Sequence, residues 1–423
     1  MKRVVILCVW LFSVVAGHAQ LSLDECRRLA RENYPEIRQY DLVHQTEQYN
    51  LSNAARAWIP QIAFSAQATW QTDAPNFPKE LTGMLAQQGL EIPGLRKDQY
   101  KVALELNQTI WDGGKSVADK RIARAEAAEQ KTMTDVDLYE LEGRVDDLYF
   151  GILLLDERIA QTNLTLNLLR SNLEKVQRNG VAMQSDADVL EAELLSVGQQ
   201  LIQFESSCDS YRRMLGIFIG QKVGDRKLQR PSAVQPLSGE SARPELAMFA
   251  AKIDRLTAQE KMVKSSSMPR LGFFAQGYYG YPGLDYMQSM MNSDWSWNAM
   301  LGVKLSWNFG AYYTQKNNLN KLRISRQQVE VQRDVFLFNM NLQAAQENGD
   351  IARLRKAIAD DDRIVALRRS VREAAESKLR NGIIDTHDLL SKITDESTAS
   401  MARSMREIEL LKAIYEYKHT INR

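Results

Sequence analysis

Between Tyr100 and Arg178 the hydrophobic pattern changes period once. Tyr100, Val102, Leu104, Leu106 and Ile110 alternate with Lys101, Ala103, Glu105, Asn107 and Thr109. That is a period of two, with one apolar and one polar face, and it predicts a strand over 99–111. Trp111-Asp112-Gly113-Gly114 follows as a turn signal. From Lys115 to Arg178 there is no proline and only two glycines, Gly143 and Gly151. Leu138, Val145, Ile152, Ile159, Leu166 and Leu173 recur every seven residues, and Leu141, Leu148, Leu155, Leu169 and Val176 form a companion seam, with Thr162 its one polar member. This is the narrow stripe of a coiled coil rather than the broad face of a globular helix. A helix over 115–178 would be roughly 95 Å long. Globular helices average about 11–12 residues, so this one runs along something extended. An ordinary dimeric coiled coil would not be entered directly from a strand.

The flanking pattern completes a unit. Residues 22–58 predict a helix opened by a Ser22/Glu25 capping box and ended before Pro60. Over 61–71, Ile62, Phe64, Ala66, Ala68 and Trp70 alternate with Ala63, Ser65, Gln67 and Thr69, a second strand. The segment 71–98 between the strands reads as a long loop. Each strand has about ten residues, the length a tilted strand needs to cross a bilayer. Asn179-Gly180 suits a left-handed helix end, and a return helix is expected over 186–216.

The unit then recurs. After an irregular linker over 221–242, a helix is expected over 243–267, strands over 271–281 and 298–309, a long helix over 311–379 and a return helix over 385–421. Met268-Pro269-Arg270 replays Ile59-Pro60-Gln61. Trp307-Asn308-Phe309-Gly310 replays Trp111 to Gly114, and Asn381-Gly382 replays Asn179-Gly180. The displacements are 209 residues at the prolines, 196 at the tryptophans and 202 at the glycines. A duplication explains them, with repeats over 20–220 and 243–423. Glycines 113, 114 and 310 read as backbone devices for the strand-to-helix bend. Trp111 and Trp307 read as buried packing at that junction.

Composition narrows the compartment. Met1-Lys2-Arg3, an apolar run to Val15 and Gly17-His18-Ala19 read as a signal peptide over residues 1–19. Its removal leaves 52 basic against 53 acidic residues, a balance that offers nothing to nucleic acid. No later stretch is apolar enough for a membrane helix, which leaves a periplasmic, secreted or barrel-forming chain. Cys26 and Cys208 remain, either as a disulfide or as two buried thiols. The histidines have no metal-ligand spacing, and no nucleophile–base pair stands out. No metal, cofactor or enzymatic activity is therefore expected. Four amphipathic strands leave two open edges that lipid does not tolerate, so closure calls for several chains. Three copies give a closed barrel of twelve strands.

These residues resemble the TolC-like outer membrane efflux protein family. The resemblance covers nearly all of 21–423. It rests on Ala54 to Pro60 before the first strand and on Leu106 to Gly114 closing the second. Asn179-Gly180 followed by Asp188 to Glu193, and Asn381-Gly382 followed by Asp388-Leu389-Leu390, complete it. It implies a mainly α chain with a small transmembrane β part, assembled as a homotrimer. A twelve-stranded β-barrel in the Gram-negative outer membrane would continue into a long α-helical periplasmic barrel. It implies no catalysis. The function would be that of a passive exit duct for a tripartite efflux or type I secretion system. The partners would be outer membrane lipids, a periplasmic adaptor (membrane fusion) protein and an inner-membrane transporter driven by protons or ATP. The turns Asn179-Gly180 and Asn381-Gly382 would form the periplasmic tip. There the resemblance makes Asp388, and after it Asp385, Asp186 and Asp188, gate candidates. The competing role for Asp385, Asp186 and Asp188 is as helix N-terminal acids serving the macrodipole. The alternative function is a periplasmic coiled-coil adaptor or scaffold, which would lack the paired strands.

Overall fold

The computed structural model describes residues 20–89, 92–179, 184–232 and 241–422. The expected signal peptide lies outside them. In chain order the elements are α1 (Leu23–Asn33), α2 (Gln39–Arg56), β1 (Gln61–Trp70), α3 (Lys79–Gln87), β2 (Asp98–Trp111), α4 (Lys115–Asn179) and α5 (Gln184–Ile219). They continue as α6 (Pro244–Ser265), β3 (Arg270–Tyr281), α7 (Tyr286–Met291), β4 (Ser296–Ser306), α8 (Gly310–Arg380) and α9 (Thr386–Ile421).

Three expectations need correction. The helix over 22–58 is two helices, α1 and α2, parted by a 3-10 turn at Pro35–Arg38. Tyr34 takes ψ 128°, the extended conformation that a following proline imposes. The Ser22 hydroxyl does cap α1, accepting from Glu25 N at 3.2 Å. The loops over 71–98 and 282–295 each hold a short helix, α3 and α7, too brief to show a period in sequence. The fourth strand ends at Ser306, short of the expected 309, and α8 begins at Gly310.

The chain forms two compact units. One takes the chain up to Tyr40, Thr132–Met248 and the chain from Gln332 onward; the other takes Asp41–Lys131 and Phe249–Val331. Each draws on both halves of the chain. The second unit holds one antiparallel sheet of order β1-β2-β3-β4.

The first unit is helical. Its main core joins α1, α4, α5 and α9 through Cys26, Leu138, Leu141, Val145, Tyr149, Ile152, Leu215 and Tyr415. Much of the heptad seam of α4, from Leu138 to Ile152 and at Leu166 and Leu169, is thus buried within one chain. The Tyr149 hydroxyl ties the bridge between Leu21 and Leu228 to this core, bonding Leu21 O at 2.8 Å. Arg27 reaches from α1 to Asp146 on α4, with Nε 2.7 Å from one carboxylate oxygen and Nη2 on the other.

The disulfide does not form: Cys26 and Cys208 are both free and buried. Cys26 lies inside the core, where burial, then Glu25 and Asp146, push its thiol up to about 12. Cys208 is engaged elsewhere, donating to Asp156 Oδ1 and accepting from Arg212 Nε, both at 3.3 Å. Arg212 also grips both Asp156 oxygens at 2.9 and 2.8 Å, and it holds the carbonyls of Gly224 and Arg226 at 2.9 Å each.

One half-buried base gives the helical unit an acid limit. The His419 ring stacks on Tyr139 at 4.1 Å, in space left by Gly143, whose Cβ would stand 3.1 Å from Nε2. Burial, then Arg243 and Arg27, push the imidazole down from 6.5 to about 4, with Asp147 opposing. Between those values the unfolded chain binds a proton that the folded chain refuses. Stability therefore falls as pH drops from about 6.5 to about 4. His419→Gln is expected to flatten the pH dependence of the melting temperature across that window. A slope equal to the wild type would show that other groups set it.

Candidate functional site: the two-faced sheet and the hairpin tips

Residues paired across antiparallel strands share a face. One row runs Ile62, Leu106, Ala275, Leu301, the next Phe64, Leu104, Gly277, Ala299, and a third Ala66, Val102, Tyr279, Trp297. This apolar face is turned to the outside of the chain: Leu301 is 75 % exposed, Phe64 72 % and Trp297 82 %. In water such a surface is costly, at about 25 cal/mol per Å². In hydrocarbon it is at home.

Aromatic rings mark both ends of that face. Near the β1–β2 and β3–β4 turns, Tyr279 meets Trp297 at 5.0 Å and Trp295 at 5.4 Å, and Tyr100 meets Trp295 at 5.6 Å. At the helix end stand Trp111 and Trp307, 44 % and 46 % exposed rather than buried as expected. Trp111 pairs with Leu271 on the apolar face, and Trp307 packs on Phe309 at 4.7 Å while its Nε1 donates to Ser267 O at 3.0 Å. Two aromatic belts bounding an apolar band are the signature of a strand that crosses a membrane.

The opposite face is polar. Its rows run Ala63, Glu105, Gln276, Met300 and Ser65, Ala103, Tyr278, Asn298. Lys101 Nζ donates to Gln276 Oε1 at 3.1 Å, and Gln276 Nε2 donates to Glu105 Oε1 at 2.5 Å. The period of two gave this face, but the network needs three residues from two strands 170 or more positions apart, which no local pattern shows.

The strand-to-helix junctions differ from each other. Gly113 and Gly114 have φ +69° and +86°, and a Cβ on Gly113 would come 2.7 Å from that of Met268. Both therefore need to be glycine. Asp112 stitches this corner, accepting from Gly114 N at 2.9 Å and Ser116 N at 2.6 Å. Burial pushes its carboxyl up, but the Ser116 and Gly114 donors outweigh this and hold it below the usual range. Gly310, by contrast, is the first residue of α8 and is not among the positive-φ glycines, so the bend there does not depend on it.

The tips belong to the helical unit. α4, α5, α8 and α9 meet in a second core of Leu166, Leu169, Leu190, Val197, Ala375, Leu389, Leu390 and Ile393. α8 ends in a Schellman turn: Gly382 has φ +67°, its N–H bonds Leu379 O at 2.9 Å, and Ile383 N bonds Lys378 O at 2.9 Å. Asn381 adds a side-chain bond to Ser377 O at 3.0 Å. Asp385 is the N-cap of α9, accepting from Asp388 N at 2.8 Å, which is the capping role weighed against the gate. Asp388 is exposed one turn further on, beside exposed His387. Asp188 is exposed near the start of α5. Gly180 and the side chains of Asn179 and Asp186 lie outside what the structure describes. Among the described residues no group of His, Cys, Asp or Glu is placed to hold a metal, and no helix is long and apolar enough to cross a membrane.

The second unit's sheet thus has a lipid-compatible face, and in the first unit α8 turns back into α9 at a capped tip. The family model described as outer membrane efflux protein matches residues 27–220. Similar solved structures cover most of the chain. The outer-membrane channel OprN matches with a TM-score of 0.68 at 14 % identity, covering 94 % of this chain and 89 % of its own. The outer membrane protein VceC from Vibrio cholerae matches at 0.68 and 14 %, over 94 % and 95 %. The open state of the Neisseria gonorrhoeae MtrE outer membrane channel matches at 0.67 and 13 %, over 94 % and 88 %. No protein in a comparison with curated sequences matches. Residues 27–220 are thus similar to outer membrane efflux proteins, and the chain shares the fold of solved outer-membrane channels over most of its length.

Proposed function

We propose that three copies of this chain close a twelve-stranded barrel and form the passive exit duct of a tripartite efflux or type I secretion system. The observation that carries this is the sheet: four strands, an exposed apolar face, and one unpaired edge on each of β1 and β4 among the described residues. Open edges in hydrocarbon cost several kcal/mol per unpaired group, so the edges of one copy pair with those of the next. α8 supports the same assembly. Ile324, Val331 and Phe338 recur every seven residues, as do Val335 and Leu342, and all are exposed. That is a coiled-coil seam without a partner in its own chain, whereas much of the α4 seam is filled within it. The hairpin tips would receive a periplasmic adaptor, and an inner-membrane transporter driven by protons or ATP would supply the cargo.

Fractionation tests the reading. The mature chain is expected in outer membranes and is released only by detergent. Recovery in a detergent-free periplasmic extract would favour the adaptor or scaffold reading. At the tip, three Asp388 carboxylates would form an acidic ring that favours cations. Asp388→Ala is expected to raise single-channel conductance or reduce cation selectivity. No change in either removes Asp388 from the gate.

A further inference from the structure

The polar face of the sheet carries four charged side chains: Lys101 and Glu105 on β2, Arg270 on β3 and Lys304 on β4. They are unevenly satisfied. Lys101 and Glu105 are joined through Gln276, and the Lys101 ammonium also lies 4.6 Å from the centre of the Tyr278 ring. Arg270 and Lys304 stand at the other end of the sheet, toward the helices. The register pairs Arg270 with Ser306 and Gly272 with Lys304, so the two cations occupy successive rows of one face on neighbouring strands. Such diagonal neighbours are roughly 7–8 Å apart. Among the described residues neither side chain forms an ion pair or a side-chain hydrogen bond. Their rows add only Thr109, Gly272 and Ser306, all neutral. The nearby Asp112 commits both carboxylate oxygens to Gly114 and Ser116. Two adjacent like charges with no carboxylate in their own rows repel each other, which serves neither the fold nor the sheet pairing. The arrangement suits a passing anion.

We propose that Arg270 and Lys304 form a cationic collar inside the helix-side end of the barrel, which selects for negatively charged solutes. This rests on the duct reading, because three copies are needed to bring six such cations around one lumen. Charged rings set the sign of the ions a pore prefers. The collar assigns organic anions as the cargo class favoured at the barrel. An acidic ring at Asp388 would act elsewhere along the path and is tested separately.

The test is the reversal potential of the purified protein in planar lipid bilayers under a potassium chloride gradient. The double variant Arg270→Gln/Lys304→Gln is expected to lower the anion-to-cation permeability ratio about twofold or more, the effect of a unit charge ~10 Å away in water. The single variants should each move the ratio part of the way, and Arg270→Glu/Lys304→Glu should move it further in the same direction. The singles keep the test decisive if a double fails to assemble. A conducting double variant with the wild-type ratio overturns the collar and leaves the duct standing. A wild-type protein that inserts and never conducts takes down both.

Discussion

Arg27→Met is expected to destabilise the helical unit by about 3–5 kcal/mol, the cost of leaving a buried charge without its partner. The side chains of Arg27 and Asp146 are 17 % and 9 % exposed, and both hydrogen-bonding arms of the pair come from this one guanidinium. Burial pushes the Asp146 carboxyl up even with Arg27 beside it, so nothing else nearby compensates it fully. Methionine replaces the stem of arginine and leaves the carboxylate in the core formed by α1, α4 and α9. The change should appear as a lower melting temperature, followed by circular dichroism of the helices in detergent. The second variant separates charge from packing. Arg27→Met/Asp146→Leu should recover most of the loss, because a buried ion pair replaced by apolar groups of similar volume is often neutral. A double variant as unstable as the single would show that Arg27 acts by filling space, not by answering Asp146.

Leu301→Arg is expected to cost about 2–4 kcal/mol and to prevent stable insertion, as a cation does on the lipid face at the middle of a barrel strand. Leu301 is at the centre of β4 and in the apolar row with Ile62, Leu106 and Ala275. Its neighbour Met300 is on the other face, in the row with Ala63, Glu105 and Gln276. Met300→Arg places the same side chain one residue away, toward the polar side, and should insert normally. The yield of membrane-embedded protein after refolding into lipid vesicles reads the difference. Equal yields would mean that the face assignment is wrong. Equal loss of both would point to general damage to the strand.

The sequence was informative where one period governs a long run. Alternation in 61–71 and 99–111 located β1 and β2 to within a residue at each end, because a strand with two unlike faces carries its address in every second position. Seven-residue recurrence did the same for α4, and Asn381-Gly382 announced the turn that ends α8. The failures are also physical. Pro35 was visible, yet its effect on Tyr34 is confined to one residue and was masked by helical residues on both sides. The state of Cys26 and Cys208 depends on which helices pack together, and spacing along the chain does not contain that. The burial expected of Trp111 and Trp307 treated tryptophan as a core residue, whereas a membrane edge offers it a half-exposed place. At the tip the resemblance supplied Asp388 and Asp385 together. Only backbone geometry separates them, because Asp385 is committed to capping α9 while Asp388 is exposed. Arg270 and Lys304 drew no attention as sequence because each is an isolated cation. They become a pair only through the register of β3 against β4.

The most direct test of the whole account is the mass of the detergent-solubilised particle by native mass spectrometry. The unpaired edges of β1 and β4 require neighbours, and the account predicts three chains per particle, which together bring twelve strands to one closed barrel. A stable single chain in detergent and in lipid would contradict it, because one four-stranded sheet would then be living in a membrane with both edges open.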